Sequence, residues 1–356
     1  MAYLELNREA LQHNYHVIES TIRHHHKDWG AVTKILCGNK LFLQEVLQLQ
    51  PKVVFDSRMS NLKAIKSLQP DIMTGYIKPP PKRIISKLLD VADITFNTQF
   101  STISLINKVA ADKGIRHKII IMIEMGDLRE GVLRESVIDF YSRVFELSNI
   151  EIVGLGTNLN CLNGVMPSYD KLIQLSLYKE LLEARFNVQI PWVTAGTSVV
   201  YPMLDLGLVP AGMNHFRLGE TLFFGVDLIE NGPIPSMRQD VFRFFAEIVE
   251  IMEKPDLIDQ PAGINVAGIT PQVDPSKSTG SSNRALLDSG LLDIQQRNLL
   301  PFHPEYTIEG ASSDMLVLSV GDNPENLNTG SYVPFKVDYM GVLSLMNSRY
   351  IEKRVV

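Results

Sequence analysis

From residue 29 onward, short β-branched runs alternate with longer amphipathic ones, and no other feature of the sequence narrows the fold as much. Eight runs read as strands: 29–36 (WGAVTKIL), 52–57 (KVVFDS), 70–77 (PDIMTGYI), 93–98 (DITFNT), 117–125 (HKIIIMIEM), 150–158 (IEIVGLGTN), 190–196 (IPWVTAG) and 215–219 (HFRLG). Most are separated by stretches such as STISLINKVAADKG, ESVIDFYSRVFELS and YDKLIQLSLYKELLEARF. Their apolar residues recur at i, i+3, i+4 and i+7, which predicts helix. Strand followed by helix, repeated, makes parallel strands joined by right-handed crossovers. Eight such units in roughly 200 residues suit a closed TIM-type (β/α)8 barrel. An open doubly wound sheet would leave two edges exposed, and no GxGxxG opens any of the helices.

The rhythm changes after residue 225. Pro and Gly thicken (ENGPIPSMRQD, EKPDLIDQPAG), and a Ser/Gly-rich loop, DPSKSTGSSN, intervenes. The strand-like segments FRFFAEIVEIM, GINVAG, RALLDSG, YTIEGA, MLVLSV and SYVPFKVDYM then follow without helices. This predicts a barrel over 1–225, preceded by a strand and a long helix, and an all-β domain over 226–356. The opening strand, AYLEL, is also able to join the C-terminal sheet.

Hydrophobic residues make up 45% of the 356 and charged residues 21%, the balance of a globular chain rather than a disordered one. A net charge of −6 and the lack of a basic run argue against a nucleic-acid partner. No apolar run approaches the roughly 18 residues of a membrane span, and MAYLELNREALQ lacks the apolar core of a signal peptide. Cys37 and Cys161 are too few for a disulfide scaffold, so a cytoplasmic protein is the simplest expectation. Three adjacent histidines at 24–26 cannot face one ion together, and no metal site is expected there.

In a β/α barrel, chemistry sits at the C-terminal ends of the strands. Lys34 interrupts the apolar run of the first strand near its end. At the other ends stand Asp56, Tyr76, Asn97, Glu124 with Arg129, Thr157 with Asn158, Thr197 with Ser198, and Arg217. Polar groups converging on one mouth around a lysine point to an amine that forms a Schiff base with a carbonyl. The carbonyl is either the substrate, as in a class I aldolase, or pyridoxal 5'-phosphate, which also needs a phosphate cradle. The loops after the seventh and eighth strands, AGTSVVYP and RLGETLFFG, offer glycine N–H groups and hydroxyls suited to a dianion. The cofactor reading therefore accounts for more residues.

The segments VTKILCGN, DSRMSNLK, EMGDLREGV, GLGTNLNC, AGTSVV, NHFRLGETLFFG, GASSDM and DYMGVLSLMNSRYIEK together resemble the alanine racemase-type, fold III pyridoxal phosphate enzymes along essentially the whole chain, most closely the ornithine or alanine/ornithine racemase branch. The resemblance implies an amino-acid racemase. Lys34 would hold the cofactor and act as the acid/base on one face of the substrate Cα. Arg217 would face the pyridine nitrogen, Asn158 the ring and Arg129 its phenolic oxygen. Thr197 belongs to the same strand-end cluster, and Ser198, Gly219, Glu220 (through its backbone) and Tyr339 would hold the phosphate. A head-to-tail homodimer is implied, with Ser313 and Asp314 delivered from the partner subunit.

The pattern breaks at one catalytic position. Alanine racemases use a tyrosine in a G-Y-x-D-G stretch as the second acid/base, and the matching SGLLDIQQ places Leu291 there. The ornithine-type branch shows G-R-Q-D in that stretch and a histidine after SSD, where this chain has Met315. Cys161, then Asp314, then Asp293 are the candidates for the missing proton carrier. Plainer roles compete: an ion-pair cluster for Arg129, a helix cap for Ser198, packing for Cys161 and Tyr339, and a turn for Asp314. A pyridoxal phosphate carrier resembling the barrel alone and a decarboxylase on the same two-domain plan stay open. The extra β-domain weighs against the first and Arg217 against the second.

Overall fold

A computed structural model describes residues 1–255, 263–264, 270 and 280–356. The chain begins with β1 (Tyr3–Leu6) and α1 (Arg8–His24), then runs through β2 (Asp28–Val32), α2 (Lys40–Gln48), β3 (Val53–Asp56), α3 (Met59–Leu68), β4 (Met73–Tyr76), α4 (Ile85–Leu88), β5 (Ile94–Asn97), α5 (Phe100–Asp112), β6 (His117–Met122), α6 (Val137–Phe145), β7 (Ile150–Gly156), α7 (Tyr169–Phe186), β8 (Trp192–Thr194), β9 (His215–Leu218) and α8 (Glu220–Phe224). Strands β2 to β9 form one eight-stranded sheet in the order β8-β7-β6-β5-β4-β3-β2-β9. The first barrel strand pairs in parallel with the last, Gly30 opposite Arg217. Between β8 and β9 the seam closes through a bridge of Gly196 with Phe216, where Arg217 N donates to Gly196 O at 2.6 Å. The eight-stranded barrel expected from the periodicity is the one observed.

Every residue of β3 and of β5 is buried, as in a sheet covered on both faces, and this includes the polar Asp56, Thr95 and Asn97. Val32, Val53, Phe55, Ile94, Phe96, Ile120, Met122 and Val153 fill the interior. Several strands end short of their expected places, β6 at Met122, β7 at Gly156 and β8 at Thr194, and the first strand is the one that bears on the lysine. β2 stops at Val32, and Lys34–Leu36 form a 3₁₀ turn. Ile35 and Leu36 are buried there while Lys34 is exposed, so the lysine stands just beyond the strand rather than inside it.

Two compact units divide the chain: Leu11–Gln239, and Met1–Ala10 together with Asp240–Val356. The expected boundary at 225/226 therefore moves to 239/240. After α8 the chain makes a short hairpin of β10 (Val226–Asp227) and β11 (Gly232–Pro233). Ile234 N then returns to Gly225 O at 2.8 Å, and Arg238 exchanges two 2.8 Å hydrogen bonds with the side chain of Asn14 on α1. These contacts keep 226–239 with the barrel.

The second unit contains β12 (Phe242–Pro255), β13 (Ser281–Leu287), β14 (Leu299–Pro301), β15 (Thr307–Ala311), β16 (Leu316–Ser319), β17 (Tyr332–Val337), α9 (Tyr339–Asn347) and β18 (Glu352–Val355). Its main path runs β14-β17-β12-β13-β16-β15. β1 joins this sheet, antiparallel to β12 and parallel to β18. Most of GINVAG and of DPSKSTGSSN lies outside the described residues. The expectation of strands without helices fails at α9: SYVPFKVDYM leaves the sheet at Val337. There the Asp338 side chain accepts from Gly341 N at 2.7 Å and caps the helix. No described helix is long and apolar enough to cross a membrane.

Candidate functional site

Strand alternation places His215 and Arg217 on one face of β9. Arg217 is only 6% exposed. Its Nε donates to Thr194 Oγ1 (3.0 Å), Nη1 to Asn158 Oδ1 (3.0 Å), and Nη2 to Thr157 O (2.7 Å) and Thr194 O (3.4 Å). The guanidinium carbon lies 5.3 Å from the centre of the Phe96 ring. A guanidinium has five N–H donors; these neutral acceptors engage four, and one Nη1 hydrogen remains for a ligand. Because Arg217 can only donate, Thr194 must accept from it, and the Thr194 proton then goes to His215 Nδ1 at 3.1 Å. His215 is therefore a neutral imidazole, and burial pushes its pKa down to about 3. Burial also lowers Arg217 to about 10, while the Cys161 sulfur and the Glu130 carboxylate act in the opposite direction.

Two loops that follow neighbouring strands are clasped together beside Arg217. The first leaves β6 and returns to it: Glu124 N donates to Val132 O (2.9 Å) and Val132 N to Met122 O (2.8 Å). Within it the Glu124 carboxylate accepts from Gly126 N and Leu128 N. Gly131 has φ of +157°, and a Cβ there would fall 2.3 Å from Glu124 N, so only glycine closes this loop. Asp127, buried, accepts from Leu162 N (3.0 Å) and Asn163 N (3.2 Å) of the loop after β7, and Asn163 Nδ2 donates back to Asp127 O (2.7 Å). EMGDLREGV and GLGTNLNC thus act as one assembly. It presents Arg129, which pairs through two nitrogens with Glu130, and Glu130 also accepts from Asn158 Nδ2. That hydrogen bond to Glu130 holds the Arg129 pKa above its usual value. Arg129 is thus in the ion pair its plainer reading anticipated, but with a partner wired to Asn158 and through it to Arg217.

Lys34 is held by its flanks. Thr33 Oγ1 donates to Asp56 Oδ2 (3.1 Å), Cys37 in the left-handed region (φ 49°) closes the 3₁₀ turn, and Asn39 caps α2 by accepting from Phe42 N. Asp56 also accepts from Arg58 N and Asn61 Nδ2; burial outweighs these bonds and raises its pKa to about 6. Tyr76 is buried, and burial raises its hydroxyl pKa. At the β8–β9 end, Ser198 Oγ accepts from Thr221 N at 3.1 Å. Thr197 Oγ1 and Thr221 Oγ1 are buried with no hydrogen-bond partner. Gly219 packs so closely that a Cβ would lie 2.9 Å from Val32 O. Glu220 opens α8 beside it. Buried hydroxyls without partners around a backbone too close for a side chain fit an oxyanion such as a phosphate.

Cys161 is exposed on the loop after β7 and reaches Leu159 O at 3.4 Å. Asp314, Leu291 and Tyr339 belong to the other unit. There Leu291 N donates to Ser312 O and Leu292 N to Ser313 O, both at 3.0 Å, so SGLLD and SSDM lie side by side. Asp314 is exposed and accepts from Ser313 Oγ at 2.7 Å. Tyr339 is half-buried at the start of α9, not within a strand. Sequence reasoning gave no role to Thr194 and Thr221, and it took Glu130 only as one more charge beside Arg129.

Residues 6–227 match the family model described as alanine racemase, N-terminal domain. The chain is 32% identical to the ornithine racemase of Acetoanaerobium sticklandii over 92% of each chain. It is 28% identical to the lysine racemase of Thermotoga maritima over 91% of this chain and 89% of that one. Its fold is similar to that of the alanine racemase from Streptomyces coelicolor A3(2), with a TM-score of 0.77 at 14% identity, covering 100% of this chain and 98% of that one. The alanine racemase from Bartonella henselae with covalently bound pyridoxal phosphate gives 0.74 at 16% identity, covering 100% and 99%. With the family model spanning most of the barrel and a curated relative matching nearly end to end, the chain belongs to the pyridoxal phosphate-dependent alanine racemase family.

Proposed function

We propose that this amino-acid racemase inverts the Cα of a free amino acid by exchanging its proton with Lys34 Nζ on one face and with a second group on the other, with pyridoxal 5'-phosphate held in the barrel mouth. When bound, the cofactor supplies an electron sink that makes the Cα proton acidic. Lys34 anchors it and handles the proton on one face. Thr197, Ser198 and the backbone at Gly219 and Glu220 would hold the phosphate. Arg129 and Asn158 orient the ring. The observation that carries this reading is Arg217: its one remaining N–H donor is available for the ring nitrogen, yet a guanidinium cannot readily give that proton up. A ring nitrogen that stays unprotonated favours simple return of a proton to Cα over reactions that need a stronger sink, such as decarboxylation.

Leucine carries no proton, so Leu291 cannot serve the opposite face. Cys161 is the first candidate, exposed on the loop that also carries Asn158, followed by Asp314 and Asp293. Asp314 reaches a site as part of a head-to-tail homodimer. The ornithine and lysine racemase relatives point to a diamino acid.

The test is incubation with single enantiomers of ornithine, lysine, alanine and leucine in D2O, following Cα deuterium by NMR. Exchange with loss of optical purity is expected, abolished in Lys34→Ala together with the visible absorption of the bound cofactor. No exchange with any of the common amino acids would overturn the reading.

A further inference from the structure

We propose that Glu130 is a positioning residue that holds the two guanidiniums of the barrel mouth in register, directly for Arg129 and through Asn158 for Arg217. The proposal rests on reading the mouth as the cofactor site and assigns a role to a residue that acts through Arg129 and Asn158.

The chain of contacts is continuous. Glu130 receives Nε and Nη2 of Arg129 and, on the oxygen that takes Nη2, the Nδ2 of Asn158. Asn158 Oδ1 in turn receives Nη1 of Arg217 at 3.0 Å. A guanidinium only donates and a carboxylate only accepts. The amide between them therefore has one allowed orientation, oxygen to Arg217 and nitrogen to Glu130. Turning it over would set donor against donor at one end and acceptor against acceptor at the other.

An ion pair between sequence neighbours at a surface contributes little, and three observations set this one apart. The Glu130 side chain is 12% exposed against 39% for Arg129, so the carboxylate is the inner member of the pair. The pair is two-pronged, which fixes the plane of the guanidinium as a single contact does not. The third contact reaches a residue at the end of β7, outside the loop that carries Glu130. Charge follows the same path. Every acceptor on buried Arg217 is neutral, and Glu130 is the carboxylate joined to it, one amide away. The loop is braced before any ligand arrives, by Glu124 on its own amides and by Asp127 on Leu162 and Asn163.

The test is a relocation of the negative charge. In Glu130→Gln the carboxylate is lost and the amide of the new glutamine faces the amide of Asn158. In the double variant Glu130→Gln/Asn158→Asp, the new aspartate accepts from Arg217 and from the new glutamine, whose oxygen accepts from Arg129. The link from position 130 to Arg217 is again matched donor to acceptor, one of the two Arg129 contacts is given up as in Glu130→Gln, and the charge has moved by one residue. With the full-length holoenzyme, kcat for Glu130→Gln is expected to fall about 100-fold, the scale on which a misplaced positioning group acts. KM should change much less, and the double variant should recover about 10-fold or more of the loss. Wild-type kcat in Glu130→Gln, or a loss that the double variant does not recover, would overturn the proposal. Melting temperatures of the apoproteins separate positioning from folding: a loss of kcat that follows a lost melting temperature also counts against it. Affinity of the apoproteins for pyridoxal phosphate, titrated by fluorescence, keeps the test independent of turnover. It should weaken about 10-fold in Glu130→Gln and return in the double variant, and unchanged affinity would count against the proposal. A wild-type protein that binds the cofactor and exchanges no Cα proton defeats the racemase reading while leaving this arm to decide the role of Glu130.

Discussion

Arg217 and Asp56 show how two buried charged groups are tolerated by opposite means. Arg217 spends its donors on fixed neutral oxygens, and Asp56 sits in the core with three donors on it. Arg217→Lys keeps the charge but brings a rounder head with three donors, which cannot span Thr194, Asn158 and Thr157 at once. Leaving one of those buried acceptors unmet costs about 1–3 kcal/mol, and urea denaturation of the apoprotein should show a loss of that size. For Asp56 the folded value of about 6 lies above the ordinary carboxyl value of 3.8. Between those two values the folded state binds more protons than the unfolded chain, so this group's contribution falls as pH rises through the window and is level above it. A shift of about two units corresponds to about 3 kcal/mol. Asp56→Asn should remove that slope: the stability of the wild type relative to the variant declines from pH 4 to pH 6, and a flat difference would contradict the assignment.

Between strand and helix, the unit that matters is the pair of loops after β6 and β7. Their two motifs were legible in the sequence because glycines, an aspartate and paired charges recur in short, unusual order. Their mutual clasp was not legible, because it depends on where the neighbouring strand ends. Glu130 was hidden for a related reason: in DLREG it reads as an ordinary solvated charge. Gly131→Ala forces both a left-handed φ and a Cβ into the backbone of Glu124, so the loop must open. Cofactor affinity is expected to drop about 10-fold or more with the barrel still folded, read by fluorescence titration beside circular dichroism. Asp127→Ala should release the amides of Leu162 and Asn163, and hydrogen exchange over 159–165 should quicken while β6 and β7 remain protected. Lys34 also belongs to this scale. The run WGAVTKIL looked like one strand because Ile35 and Leu36 are as apolar as Val32, and nothing in the composition marks where strand gives way to 3₁₀ turn.

For the whole molecule, the count of eight was readable because alternation of strand and helix is a long signal that survives errors of two or three residues at each end. The boundary at 239/240 was not, since 226–239 has the Pro- and Gly-rich look of a linker and is held to the barrel by the side chain of Asn14 on α1. The start of α9 was taken for strand because Tyr and Met follow a β-rich run, and the Asp338 cap is a one-residue cue. The barrel interior also carries a pH signature opposite to that of Asp56. Burial lowers His117 to about 4 and His215 to about 3. Both contribute stability that is present above the unfolded value of 6.5 and is lost as pH falls toward the folded values. Acid denaturation followed by circular dichroism should therefore begin below about pH 6.5 and become shallower in His117→Gln.

Parallel pairing of β2 with β9 sets Gly30 opposite Arg217, so the amine and the guanidinium come from the two ends of the barrel's stretch of chain. A growing polypeptide emerges from the ribosome with Lys34 early and Arg217 late. Until the last strand docks against the first, the lysine has neither Arg217 nor the proposed phosphate contacts of Thr197, Ser198 and Gly219 around it. On the proposed reading, the nascent chain could not seat the cofactor, and a fragment released short of β9 would carry Lys34 without Arg217.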